Sequence, residues 1–341
     1  MTEADAVNVS NLFRALGPKA STRFRWSDVA LLLILSGLCL LARMEKCAEV
    51  FSPRGVTYVD PDCYTRMARV ERLAEGPLRP LRQHDFENYP IGIRAHTTSL
   101  MDYLILGLAA AFKPFAPNAV DLAGAWVSPA LGLALLFFLW WWCGLYLSRG
   151  ARFFALAAYA ILPTLAWGQN VGRPDHQSLI LLLVTVGIAL EVCLIRWPAS
   201  RTTQVAGGLA WGLALWTSLF EPVVLLVATR LIQIAFDWRG TLLRRNAWWL
   251  ALAATCGLGL AIDGWARPAI DPETLPYLRR WLAEIGELAG TGPRRFTFWF
   301  GGWIWALPVT LFLACRTLKL QRRPLVLLAS LTILLTALTF W

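Results

Sequence analysis

A chain of 341 residues that is 57% hydrophobic, only 16% charged and net +10 lies outside the composition of soluble globular domains. Apolar runs recur from Ser27 to the C-terminus, which leaves a polytopic α-helical membrane protein as the class and reads the positive balance as Arg-rich cytoplasmic loops, with no nucleic-acid module. The seven cysteines show no C-x-x-C pair and no metal-ligand spacing, so most read as small apolar residues of spans, and many of the 18 tryptophans fall near run ends, as an interfacial belt requires.

Residues 1–26 are polar, with Arg14, Lys19, Arg23 and Arg25 close to the first apolar run, which predicts a cytoplasmic N-terminal segment. Ser27 to about Arg43 reads as an uncleaved signal anchor, since no small-residue cleavage site follows it. A long polar loop of about residues 45–98 comes next and carries Tyr58-Val-Asp-Pro-Asp-Cys-Tyr-Thr-Arg66. Asp60 before Pro61 predicts a helix over Pro61 to Glu75, with Asp60 as its N-cap. Asp62 then sits in the first turn, where the helix dipole favours an anion, and Arg66 lies one turn on, placed to pair with it. Capping accounts for Asp60; Asp62 is open to a second role.

The loop continues through Asn88-Tyr-Pro-Ile-Gly-Ile-Arg-Ala-His96 to Ser99–Phe112, an apolar stretch short enough for an interfacial or re-entrant helix. If that helix does not cross, the second span is about Leu122 to Leu147. The clusters Arg149/Arg152, Arg196/Arg201, Arg239/Arg244/Arg245 and Arg316/Lys319/Arg322/Arg323 then all face the cytoplasm, whereas a crossing would turn every one of them outward. The remaining spans are approximately 153–168, 179–195, 204–217, 222–236, 247–262, 299–315 and 324–341. Residues 27–341 thus form one transmembrane domain of about nine helices, with outer loops at about 45–121, 169–178, 218–222 and 263–298. The expected setting is a bacterial inner membrane, with the outer loops on the periplasmic face.

The polar constellations lie in those outer loops. In Gly172-Arg-Pro-Asp175-His176-Gln177, Asp175 either N-caps the following span, with His176 solvated beside it, or joins His176 or Gln177 as ligand to a divalent ion such as Mg²⁺ or Mn²⁺. In the last outer loop, apolar residues at 275, 278, 282 and 285 predict a helix on which Glu284 pairs with Arg280. Glu287 lies beyond Gly286, where the helix dipole disfavours a carboxylate, and so points to a functional role. Arg294 and Arg295 read either as interfacial anchors or as a clamp for an anionic headgroup or pyrophosphate.

Taken in order, Asp62-x-Tyr64-x-Arg66, Tyr89-Pro-Ile-Gly92 ahead of the short helix, the turn Gly172–Gln177 and Ile285-Gly-Glu287 resemble the N-terminal membrane half of the oligosaccharyltransferase catalytic subunit, over about residues 45–300. The resemblance implies a C-type (GT-C) glycosyltransferase, which takes a sugar or oligosaccharide from a polyprenyl phosphate or pyrophosphate and uses a divalent metal, Mn or Mg, held by acidic outer-loop residues. Carried over, Asp62 ligates the metal and approaches the acceptor, Asp175 is a second ligand with His176 and Gln177 beside it, and Glu287 acts at the acceptor or metal side. Arg66, Arg294 and Arg295 serve the donor phosphate.

The departures are specific. Gln177 stands where the family usually has an acidic residue or His. The family's Trp-Trp-Asp motif, which reads an Asn-x-Ser/Thr acceptor, lies in a C-terminal soluble domain, whereas here Trp248-Trp249 is followed by Leu250 within a span. Protein N-glycosylation is therefore not expected, and the acceptor is left open. The chain reads as a fragment, as a split subunit completed by a further subunit, or as a short relative. Two alternatives accompany this reading. A noncatalytic subunit of a glycan-assembly complex would tolerate alanine at Asp62 and Asp175. A lipid or glycan transporter would need ionisable groups at mid-span, and Glu191 and Asp263 fall near span ends.

Overall fold

The computed structural model describes residues 26–263 except 77, 78, 82, 85, 87–91, 95–97, 219 and 244. All the described residues fall within one compact unit. The expected spans at 299–315 and 324–341, the helix at 275–287, and Glu287, Arg294 and Arg295 lie outside the described residues, as does Tyr89-Pro-Ile of the first-loop motif.

The architecture is helical. Helix α1 (Trp26–Arg43) leads to the single turn α2 (Cys47–Val50) and a small antiparallel hairpin, β1 (Phe51–Ser52) with β2 (Gly55–Val56). Helix α3 (Pro61–Glu75) follows, then a second two-residue pairing of β3 (Gln83–His84) with β4 (Ile93–Arg94). The remaining elements are α4 (Leu100–Phe112), α5 (Ala119–Tyr146), α6 (Arg149–Ile161), α7 (Pro163–Trp167), α8 (His176–Arg196), α9 (Arg201–Thr217), α10 (Phe220–Leu243) and α11 (Asn246–Asp263).

Among the described residues, three helices are long and apolar enough to cross a bilayer: α1, α5 and residues His176–Leu194 of α8. Helix α4 has 13 residues and rises about 20 Å, short of the hydrocarbon core, as its length in sequence predicts. The expected single span at 153–168 is instead two helices. Pro163 has no N–H to give to the preceding turn, so α6 stops at Ile161 and α7 restarts with Pro163 at its first position.

Helix α3 forms where expected, and for the expected local reason. Asp60 Oδ1 accepts the backbone N–H of Cys63 at 3.0 Å, Pro61 opens the helix and Gly76 closes it. Its buried face carries Cys63, Met67, Val70 and Leu73, three or four residues apart. Met67 and Val70 join the main core with Met101 and Ile105 of α4, Ala123 and Val127 of α5, Leu179 and Leu183 of α8, Trp211 of α9 and Trp248 of α11. Helices α9 and α11 approach closely because small residues line their seam: a Cβ on Gly212 would stand 2.6 Å from Thr255 Cβ.

The ends of the helices are sorted. Asp263 Oδ1, at the close of α11, accepts the backbone N–H of Ser99 at 3.2 Å, and its Oδ2 accepts Trp216 Nε1–H at 2.6 Å. The start of α4 therefore meets the C-terminal ends of α9 and α11, at the end of the bundle that also carries the starts of α3 and α8. At the other end, Arg149 Nε forms an ion pair with Asp28 Oδ1 at 2.8 Å, and Arg230 and Arg245 converge on Glu191.

The turn before α8 is pinned on three sides. Val171 N–H donates to Arg43 O at 2.9 Å, Gly172 N–H to Ala125 O at 3.0 Å, and Gly172 O accepts Val59 N–H at 3.1 Å. Gly172 adopts φ +74°, and a Cβ there would run into the Val50 side chain and stand 3.3 Å from Thr57 O. Gly172→Val is expected to destabilise the fold by roughly 1–3 kcal/mol, from the left-handed backbone alone. Reversible unfolding in mixed micelles measures it, and a loss within the scatter of surface substitutions would contradict the assignment.

Candidate functional site

The N-terminus of α8 and the first two turns of α3 face each other across a recess of about 90 Å³. It is lined by Asp62, Thr65, Arg66 and Arg69 from α3 and by Asp175, His176 and Gln177 from the turn into α8. Five residues singled out from sequence, Asp62, Arg66, Asp175, His176 and Gln177, thus meet on one cavity although two chain segments more than 100 residues apart supply them.

Asp175 is the N-cap of α8, so the structural reading of this residue holds. Its Oδ1 accepts the backbone N–H of His176 at 2.7 Å and lies 2.6 Å from His176 Nδ1. The carboxylate thus has both the backbone N–H and the ring of His176 against one oxygen. Arg66 NH2 stands 3.3 Å from the same Nδ1. Burial alone raises the Asp175 pKa, but the hydrogen bonds and charge of His176 and the nearby charge of Arg66 outweigh it. The net effect holds the carboxyl below the usual carboxylate range. It is ionised at neutral pH.

On α3 the expected Asp62–Arg66 pair does not form. Arg66 NH1 donates to Asp102 Oδ1 of α4 at 2.9 Å, and Arg69 NH2 donates to the same oxygen at 3.2 Å. The physical reason is burial: Asp102 is 5% exposed and Arg66 4%, so the pair forms where water screens it least, while Asp62 is exposed. Asp62 makes no hydrogen bond or ion pair with the described residues. Asp60, besides capping α3, forms an ion pair with Arg173 NH2 at 3.3 Å, and so ties α3 to the turn that carries Asp175. Next to this pair, burial and a hydrogen bond to Asp60 push the Cys63 thiol far above its ordinary range, which makes it a packing residue and not a nucleophile.

Asp102, Arg69 and Thr65 escaped the sequence reading. For Asp102 a signal existed: it is the sole charged residue of an otherwise apolar 13-residue helix, and a carboxylate in that position needs a partner. Arg69 and Thr65 follow once Arg66 is fixed, being one turn on and one residue back along α3.

The donor set on the recess is two carboxylates, an amide and an imidazole, which is the chemistry of a hard divalent cation that keeps part of its water shell. Among the described residues no group of three His, Cys, Asp or Glu side chains is already gathered at ligand spacing. Arg66 and Arg69 place two guanidinium groups on the wall of the recess toward α4, and among the described residues both meet Asp102.

No protein-family model matches the chain. Over 158 residues it is 27% identical to dolichyl-phosphooligosaccharide-protein glycotransferase 1 of Archaeoglobus fulgidus, covering 45% of this chain and 25% of that protein. The chain thus spans about a quarter of the curated relative it matches. Among solved structures it is similar to the A. fulgidus oligosaccharyltransferase in its apo form, with a TM-score of 0.60 at 15% identity, covering 72% of this chain and 30% of the other. It is also similar to a structure of that oligosaccharyltransferase in complex with Zn and sulfate, with a TM-score of 0.50 at 14% identity, covering 84% of this chain and 40% of the other. The structural likeness is one of fold. Motif order, partial sequence identity and fold agree: the chain is a helical membrane protein that resembles the membrane half of the oligosaccharyltransferase catalytic subunit.

Proposed function

We propose that this chain is a membrane glycosyltransferase that moves a sugar or oligosaccharide from a polyprenyl phosphate or pyrophosphate donor to an acceptor on the outer face, with a divalent cation at the recess. The observation that carries the reading is the convergence of Asp62 and Asp175, two carboxylates from separate loops, on one cavity that Arg66 and Arg69 also line. The curated relative's name describes transfer of a dolichyl-phosphate-linked oligosaccharide to protein, and one structure of similar fold holds zinc and sulfate.

In this reading Asp62 and Asp175 hold the cation, with Gln177 and the His176 ring at its margin. When bound, the cation acts as a Lewis acid on the phosphate oxygens of the donor. The chain's own residues do the rest. The backbone N–H of His176 fixes Asp175 in orientation and, with the ring beside it, keeps one of its oxygens occupied, so the other faces the recess. Arg66 and Arg69 offer positive charge to the donor phosphate from the α4 side. Asp62, exposed and unengaged among the described residues, is the group able to approach an acceptor hydroxyl or amide. Glu287, Arg294 and Arg295 are assigned from sequence order alone, Glu287 to the acceptor or metal side and the arginines to the donor phosphate. The polyprenyl tail stays in lipid beside the helices.

The test is a Mn²⁺ titration of the purified chain with a polyprenyl-phosphate ligand present, comparing wild type with Asp62→Ala and Asp175→Ala. Wild type is expected to bind, and each substitution to weaken binding by at least about a hundredfold, the scale of losing one carboxylate partner from a two-carboxylate site. Equal binding in all three proteins would remove the metal from the recess and leave a noncatalytic membrane subunit as the reading.

A further inference from the structure

Asp62 and Arg66 stand four residues apart on α3, in the order and spacing at which an acid and an arginine pair on a helix surface. The structure holds them apart. Asp102, on a different helix, takes Arg66 NH1 at 2.9 Å and Arg69 NH2 at 3.2 Å on a single oxygen, and Asp62 is left without a partner among the described residues. The competition is decided by dielectric. Asp102, Arg66 and Arg69 are all buried, so their attraction is screened little, while a pair at the exposed Asp62 would be screened by water. Arg66 cannot lose its charge, so if Asp102 did not hold it, it would turn to the nearest carboxylates. Those are Asp62, one turn back, and Asp175, whose His176 partner is already 3.3 Å from Arg66 NH2.

We infer that Asp102 is a positioning residue that draws Arg66 away from Asp62 and so leaves that carboxylate free to receive a cation. The inference rests on the reading of the recess as a cation site. Asp263 supports the arrangement from behind, since it accepts the Ser99 N–H where α4 begins, three residues before Asp102. Asp102 touches no reacting group itself. It acts by deciding which carboxylate the arginine neutralises.

The experiment uses the full chain in detergent, with wild type, Asp102→Asn, Arg66→Gln and the double variant compared by Mn²⁺ electron paramagnetic resonance. Asp102→Asn is expected to weaken Mn²⁺ binding about tenfold, the effect of one cation arriving beside a carboxylate ligand. Adding Arg66→Gln is expected to return the affinity to that of Arg66→Gln alone, and Asp102→Glu, which keeps the charge, should stay near wild type. A purely structural role for Asp102 predicts no recovery in the double variant, and that result overturns the inference.

A metal-free readout separates this inference from the proposed function. In protein labelled with ¹³Cγ-aspartate, the Asp62 signal, assigned by its loss in Asp62→Asn, should move in Asp102→Asn and stay at the wild-type position in the double variant. If wild type takes up no Mn²⁺ while the carboxylate signal follows this pattern, the cation reading fails and the competition for Arg66 stands. If the signal does not move in Asp102→Asn, the competition itself is refuted.

Discussion

Glu191→Ala is expected to cost the fold roughly 3–5 kcal/mol, because it strands two buried guanidinium groups. Glu191 is 1% exposed and lies inside the apolar stretch of α8. Its carboxylate accepts Arg230 NH2 at 2.8 Å, Arg230 NH1 at 3.3 Å, Arg245 NH1 at 2.5 Å and Gln233 Nε2 at 2.9 Å. Arg230 also lies over the Trp248 ring, 3.7 Å from its centroid. One acid therefore joins α8 to α10 and to the start of α11. Removing it leaves two cations with one amide oxygen between them. Arg245→Leu should cost less, since Glu191 keeps Arg230 and the pair becomes one to one. Reversible unfolding in mixed micelles orders the two variants, and an Arg245→Leu loss equal to that of Glu191→Ala would show that the carboxylate is not the hub.

The fate of Glu191 shows where sequence reading runs out in this fold. Read along the chain, it is a polar residue near the end of an apolar run, and nothing local names its partners. Arg230 and Arg245 lie 39 and 54 residues away, so only the packing of three helices reveals the cluster. Helix α3 is the opposite case. Its two boundaries were legible because Asp60-Pro61 and Gly76 act through the backbone within one turn. The division of 153–168 was legible in principle, since Pro163 marks it, but hydropathy hides a helix break inside a continuous apolar run.

The candidate site divides in the same way. That Asp62 and Asp175 belong to one region followed from the alternation of spans and basic loops, an argument about the whole chain. That Arg66 would pair with Asp62 followed from helical spacing, an argument about surface neighbours, and it failed because a buried acid on another helix outcompetes an exposed one on the same helix. Local rules place a residue well when water is its main competitor. They place it poorly when the competitor is a second buried charge.

Arg43→Ala should also cost roughly 3–5 kcal/mol, through lost volume and orphaned acceptors together. Arg43 is fully buried at the end of α1, and no carboxylate is among its described partners. Its Nε and NH2 donate to Gln169 Oε1 at 3.1 and 2.7 Å, and NH1 donates to Cys39 O and Ala160 O at 3.0 Å each. The cation is thus held by carbonyl and amide oxygens, and it lies over the Tyr159 ring at 5.1 Å. Such a charge is costly to bury, so Arg43→Met, which fills the space without it, should lose only about 1–3 kcal/mol, the penalty of the unmet acceptors. The functional consequence follows from position. Gln169 and Val171, held by the Arg43 side chain and carbonyl, begin the turn that delivers Asp175 to the recess. Loss of Mn²⁺ affinity in Arg43→Ala alongside the drop in stability, with Arg43→Met intermediate in both, is the expected pattern. Full Mn²⁺ affinity in a destabilised Arg43→Ala protein would instead show that the three backbone contacts of residues 171 and 172 position Asp175 without help from the arginine.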